Sequence, residues 1–69
     1  MISSAEILAE ILEKYPFVEI TEIKNATDNQ LMAMSARTND NIFIQYSIVK
    51  KAEERERKER AKRFFQKNR

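Results

Sequence analysis

Ile42-Phe-Ile-Gln-Tyr-Ser-Ile-Val49 is the stretch on which the fold turns. Its residues alternate, with Ile42, Ile44, Tyr46 and Ile48 on one side and Phe43, Gln45, Ser47 and Val49 on the other, the period-2 pattern of a half-buried strand. Two upstream segments extend that reading. Residues 17–24 (Phe-Val-Glu-Ile-Thr-Glu-Ile-Lys) are rich in β-branched and aromatic side chains, and residues 30–37 (Gln-Leu-Met-Ala-Met-Ser-Ala-Arg) follow as a second strand, although Leu, Met and Ala also suit a helix. The connections Asn25-Ala-Thr-Asp-Asn29 and Thr38-Asn-Asp-Asn41 are turn-like. Their Asn and Asp residues tolerate the left-handed backbone region that hairpins need, which compensates for the absence of glycine.

Upstream of the strands, Ser3 and Glu6 stand in capping-box spacing, and Ile2 and Ile7 occupy the positions of a hydrophobic staple. Ile7, Leu8, Ile11, Leu12 and Tyr15 then recur with helical period, while Glu6, Glu10 and Glu13 fall on the opposite side. Pro16 disfavours helical geometry at Tyr15, which predicts a helix over residues 4–15. The fold expected is therefore α+β. A helix packs on a three-stranded antiparallel meander (17–24, 30–37, 42–49), and a long charged C-terminal helix follows. Residues 1–49 form the body, and residues 50–69 form a basic helix of the same domain.

Downstream, Lys50-Lys-Ala-Glu-Glu-Arg-Glu-Arg-Lys-Glu-Arg60 has alanine as its one apolar residue. Each of its glutamates has a basic residue four positions later: Glu53 with Arg57, Glu54 with Lys58, Glu56 with Arg60 and Glu59 with Arg63. This is the favourable orientation for helix-stabilising pairs. Charge is divided unevenly along the chain. Residues 1–49 hold three basic and seven acidic residues, whereas residues 50–69 hold ten basic and four acidic ones. On a helix, Lys51, Arg55, Lys58, Lys62 and Arg69 share one face within about 60° and exclude every glutamate from it. Ala61, Phe64 and Phe65 are the apolar cluster near the end of that helix.

Composition limits the chemistry. Cysteine, histidine and glycine are all absent from the 69 residues, which removes thiolate sites, the usual general base and Gly-rich phosphate loops. Glu19, Glu22, Asp28 and Asp40 are scattered over the expected strands and turns, without metal-ligand spacing, and Ser35, Tyr15 and Tyr46 have no base beside them. Neither an enzyme nor a cofactor or metal site is expected. The chain has no run of about 18 apolar residues and no signal-peptide pattern, so a cytoplasmic protein without a membrane segment is expected.

These features favour a small non-catalytic binding protein. It would act as an inhibitor or accessory factor by occupying a surface of a larger protein, with Lys51, Arg55, Lys58, Lys62, Phe64 and Phe65 as contacts. The Ile-, Asn- and Lys-rich composition suits a phage-encoded factor. The alternative is DNA or RNA binding through Lys51, Arg55, Lys58, Lys62 and Arg69, with salt-dependent contacts to phosphates. A domain this small buries only roughly 60% of its unfolded surface, which gives a homodimer through Ala61, Phe64 and the sheet face something to add.

Overall fold

Helix α1 spans Ser4–Lys14 and starts with half of the expected capping box, while Ile2, the expected staple residue, is exposed. Ser3 is the N-cap, and its hydroxyl accepts the Glu6 N–H at 3.3 Å. At the other end the Tyr15 N–H donates to the Ile11 carbonyl before Pro16 stops the helix. In the computed structural model, which describes residues 2–67 (side chains up to Phe64), three further helices follow: α2, Ile20–Lys24; α3, Asp28–Thr38; and α4, Ile42–Lys67. No strand occurs among the described residues, so the expected α+β fold with its three-stranded meander is corrected to an all-helical one.

Each expected strand has a specific reason for being helical. Residues 17–24 contribute a short loop and α2, whose buried residue is Ile23, while Phe17 points away 98% exposed. Residues 30–37 lie in α3, which starts with a complete capping box: Thr27 accepts from the Gln30 N–H at 3.2 Å, and the Gln30 side chain accepts from the Thr27 N–H at 2.8 Å. Asn39 does adopt the left-handed conformation (φ 54°, ψ 40°), but it terminates a helix instead of turning a hairpin. The Asp40 N–H returns to the Ser35 carbonyl at 3.1 Å, the closing bond of a Schellman-type C-cap.

The decisive stretch, residues 42–49, is the start of α4. Ile42 and Phe43 are adjacent and both buried, Phe43 to 1% exposure, while Ile48 is 62% exposed. A two-sided strand facing one core cannot bury neighbours and expose a member of the alternate set. A helix does so readily, with Ile42, Phe43, Tyr46 and Ser47 on one side.

The core gathers Ile7, Leu8 and Ile11 of α1, Ile23 of α2, Leu31 of α3, and Ile42, Phe43 and Tyr46 of α4. The rings of Tyr15 and Phe43 meet at 5.3 Å between centroids. Both α1 and α3 run antiparallel to α4. Ser4 and Asp28, at the starts of α1 and α3, meet Glu53 and Lys51, whereas Tyr15 and Ser35, at their ends, meet Phe43 and Ile44. Helices α1 and α3 therefore cover α4 only as far as Glu53. From Glu54 to Phe64 every side chain is exposed, and the molecule measures 49 × 21 × 21 Å. The projecting part, residues 54–67, is about 20 Å long at 1.5 Å per residue. The basic helix expected over residues 50–69 is thus, as far as Lys67, the second half of a longer helix of 26 residues; residues 68–69 lie outside the described residues.

Candidate binding helix

Three junctions hold α4 against the body and determine which of its charges face outward. At the first, Asp40 sits in the α3–α4 turn. One of its oxygens accepts from the Ile42 N–H at 3.1 Å, and the other accepts from the Tyr15 hydroxyl at 2.9 Å, with Lys14 Nζ at 3.5 Å. The Tyr15 hydroxyl, then the Ile42 N–H and Lys14, hold the Asp40 carboxyl below its ordinary value; the same hydrogen bond raises the Tyr15 phenol. Ser35, buried in α3, accepts the Ile44 N–H at 3.2 Å, satisfying another donor in the first turn of α4.

At the second junction, Asp28 in the first turn of α3 receives Lys51 as an ion pair and the Ser47 hydroxyl at 2.7 Å. Lys51 first, and Ser47 after it, lower the Asp28 carboxyl. At the third, Glu53 of α4 accepts both the backbone N–H of Ser4, at 2.9 Å, and the Ser4 hydroxyl. A carboxylate from one helix thereby caps the start of another, where the helix dipole favours negative charge. The Ser4 hydroxyl is the main cause of the lowered Glu53 carboxyl, followed by its N–H, with Arg57 adding to both. Lys50 reaches back to the Lys24 carbonyl and lies 5.7 Å over the Tyr46 ring. Burial, with the charge of Glu53, pushes the Tyr46 phenol up.

These junctions divide the expected contact residues. Lys51 belongs to the body, because Asp28 holds it. Arg55, Lys58 and Lys62 remain on one face of the projecting half, exposed and without an ion pair among the described residues. At 100° per residue they point away from the side that Ile42, Tyr46 and Glu53 turn to the body. Phe64 is 65% exposed and lies on the body-facing side of the helix, away from that row. The side chain of Phe65, and Arg69 entirely, lie outside the described residues. Of the four expected glutamate–base pairs along the helix, Glu56–Arg60 forms an ion pair, at 3.2 Å. Glu53 is drawn instead to Ser4.

Sequence reasoning missed the anchoring roles of Glu53, Asp28 and Asp40. Thr27-Asp-Asn-Gln30 carried a legible capping signal for α3; the Glu53–Ser4 contact spans 49 positions and carried none. It also missed Phe17, which stands out beside Pro16 and the partly exposed Ile20 at the end of the body opposite the projection.

The surface depressions are shallow. One of about 340 Å³ lies where α4 leaves the body, lined by Ser4, Lys24, Tyr46, Lys50, Glu53, Glu54 and Arg57. Another of about 220 Å³ lies between α2 and α3, beside Met34 and Arg37. Among the described residues no group of three or more His, Cys, Asp or Glu side chains is placed to hold a metal ion, and no helix is long and apolar enough to cross a membrane. No family model, curated protein or solved structure matches this chain.

Proposed function

We propose that this chain is a non-catalytic binding protein whose projecting half of α4 engages an acidic surface of a larger protein, as an inhibitor or accessory factor. The observation that carries this reading is the row Arg55, Lys58 and Lys62. It stands on a helix that has left the body and, among the described residues, has no carboxylate partner. A row of positive charge on a rod accelerates encounter with an oppositely charged surface. The test is a photo-crosslinking residue in place of Lys58, identification of the captured protein, and measurement of its affinity with purified components. Arg55→Glu, Lys58→Glu and Lys62→Glu together lower that affinity by about tenfold or more. Unchanged affinity in the triple variant defeats the reading.

Nucleic acid is the second reading, favoured by the lack of glutamate along that row. It predicts binding of labelled DNA or RNA that weakens steeply between about 50 and 200 mM salt and is abolished by the same triple variant. Anisotropy that stays flat at the lower salt removes it.

A further inference from the structure

The acidic outer face of α1 matches the basic row of α4 in spacing as well as in sign. Glu6, Glu10 and Glu13 are exposed, have no ion pair among the described residues, and share one face of α1 opposite Ile7, Leu8 and Ile11. From Glu6 they step by four and then three residues. Counted backward from Lys62, the row Lys62, Lys58, Arg55 steps by four and then three as well. Two helices laid antiparallel therefore bring Glu6 to Lys62, Glu10 to Lys58 and Glu13 to Arg55 in one register. A parallel alignment would instead use Lys51, which Asp28 already holds.

One chain cannot make these pairs with itself. Glu53 is bonded to Ser4, so residues 55–62 lie beyond the start of α1. We infer that the Glu6–Glu10–Glu13 face of α1 is a docking site for the projecting α4 of a second copy of this chain. Because α1 already runs antiparallel to its own α4, the two copies lie parallel, displaced along the long axis by about eleven residues, or about 16 Å. Each copy then offers its α1 to one neighbour and its α4 to another, a heterologous contact that stays open-ended instead of closing into a symmetric pair. Tail-to-tail pairing is disfavoured, since it sets Arg and Lys rows against each other. Exposed ion pairs are individually weak and screened by salt, so assembly belongs to high protein concentration and low ionic strength. It competes there with any acidic partner for the same row. The inference goes beyond the proposed function but uses its binding surface.

Molar mass by sedimentation equilibrium, at about 10 and 500 mM salt, tests it. The parent chain rises above 8.2 kDa with concentration at the lower salt and returns to 8.2 kDa at the higher. One variant reverses the α4 row (Arg55→Glu, Lys58→Glu, Lys62→Glu) and another reverses the α1 face (Glu6→Lys, Glu10→Lys, Glu13→Lys). Each stays at the monomer mass alone, and an equimolar mixture of the two regains the larger species, because each now complements the other. If the α1 variant loses its helical circular dichroism, Glu10→Lys with Glu13→Lys, which leaves the first turn intact, replaces it. A parent that stays monomeric throughout, a reversed variant that associates like the parent, or a mixture that stays monomeric overturns the inference. The α1 variant keeps an intact α4 row, so its affinity for an acidic partner is unchanged, and the two readings fail separately.

Discussion

Helix α1 and the projecting half of α4 are similar in length and both carry a row of like charges, yet they are helical for different reasons. In α1, Ile7, Leu8 and Ile11 are buried and tertiary contact supplies the stability. Beyond Glu53, no described side chain of α4 is buried. That half extends a helix already nucleated inside the core, so each added residue gains a backbone hydrogen bond without a new nucleation penalty, and Glu, Lys, Arg and Ala favour propagation. One region is held by packing and the other by continuation. Charge that lies on a packed helix is partly consumed in anchoring, as with Glu53 and Lys51; charge on the continued helix stays at the exposed surface.

The sharpest way to break this contrast is Phe43→Ala. Removing a fully buried ring costs about 3–5 kcal/mol, comparable with the whole stability of a small domain, so cooperative unfolding is lost near 25 °C. Arg63→Ala, on the projection, leaves the thermal midpoint of the body in place. Equal effects of the two substitutions in thermal melts would erase the distinction.

Ending the chain after Glu54 is the next test. The body keeps its cooperative transition, while the far-ultraviolet helical signal drops by the equivalent of the projecting turns. Loss of the transition would show that the projection supports the body.

Asn39 tests the turn into α4. Asn39→Ala keeps a β-carbon in the left-handed region but removes the short polar side chain that eases that conformation, and costs about 1 kcal/mol in denaturant unfolding, whereas Asn39→Gly is at least as stable as the parent. The three anchoring carboxylates add an acid dependence. Asp28, Asp40 and Glu53 have folded-state values lowered by Lys51, Tyr15 and Ser4 respectively. Their contribution is fully present above the ordinary carboxylate range and is lost as pH falls through the lowered folded values. Midpoints therefore decline below about pH 4, and Asp40→Asn flattens that decline. The smallest effect belongs to the projection: Glu56→Ala removes its exposed pair with Arg60 at about 0.3–0.5 kcal/mol, visible as slightly faster amide exchange around residue 60 and nowhere in the body.

How much of this was legible varies by segment. Residues 4–15 were readable because the cap, the apolar stripe and Pro16 all agree on one helix. The charged residues after Lys50 were readable because no strand tolerates so many charges on both faces. Residues 42–49 were not, since Ile-Phe-Ile-Gln-Tyr-Ser-Ile-Val satisfies period 2 and also supplies a helical face through Ile42, Phe43, Tyr46 and Val49. β-Branched residues tip such a segment toward a strand when it is read alone. The candidate site was legible in part: Arg55, Lys58 and Lys62 share a face on any helix, but nothing local marks Lys51 as the partner of Asp28.

The sequence by itself determined where charge lies, that the first segment and the last are helical, and that histidine, cysteine and glycine chemistry is absent. Only the tertiary structure decided that the middle is helical too, that one helix runs from Ile42 to Lys67, and that it leaves the body after Glu53. The physical reason is separation along the chain. Caps and periodic charge act over three or four residues, whereas burial of Phe43 and the bond from Glu53 to Ser4 join residues far apart, and only the folded core brings them together.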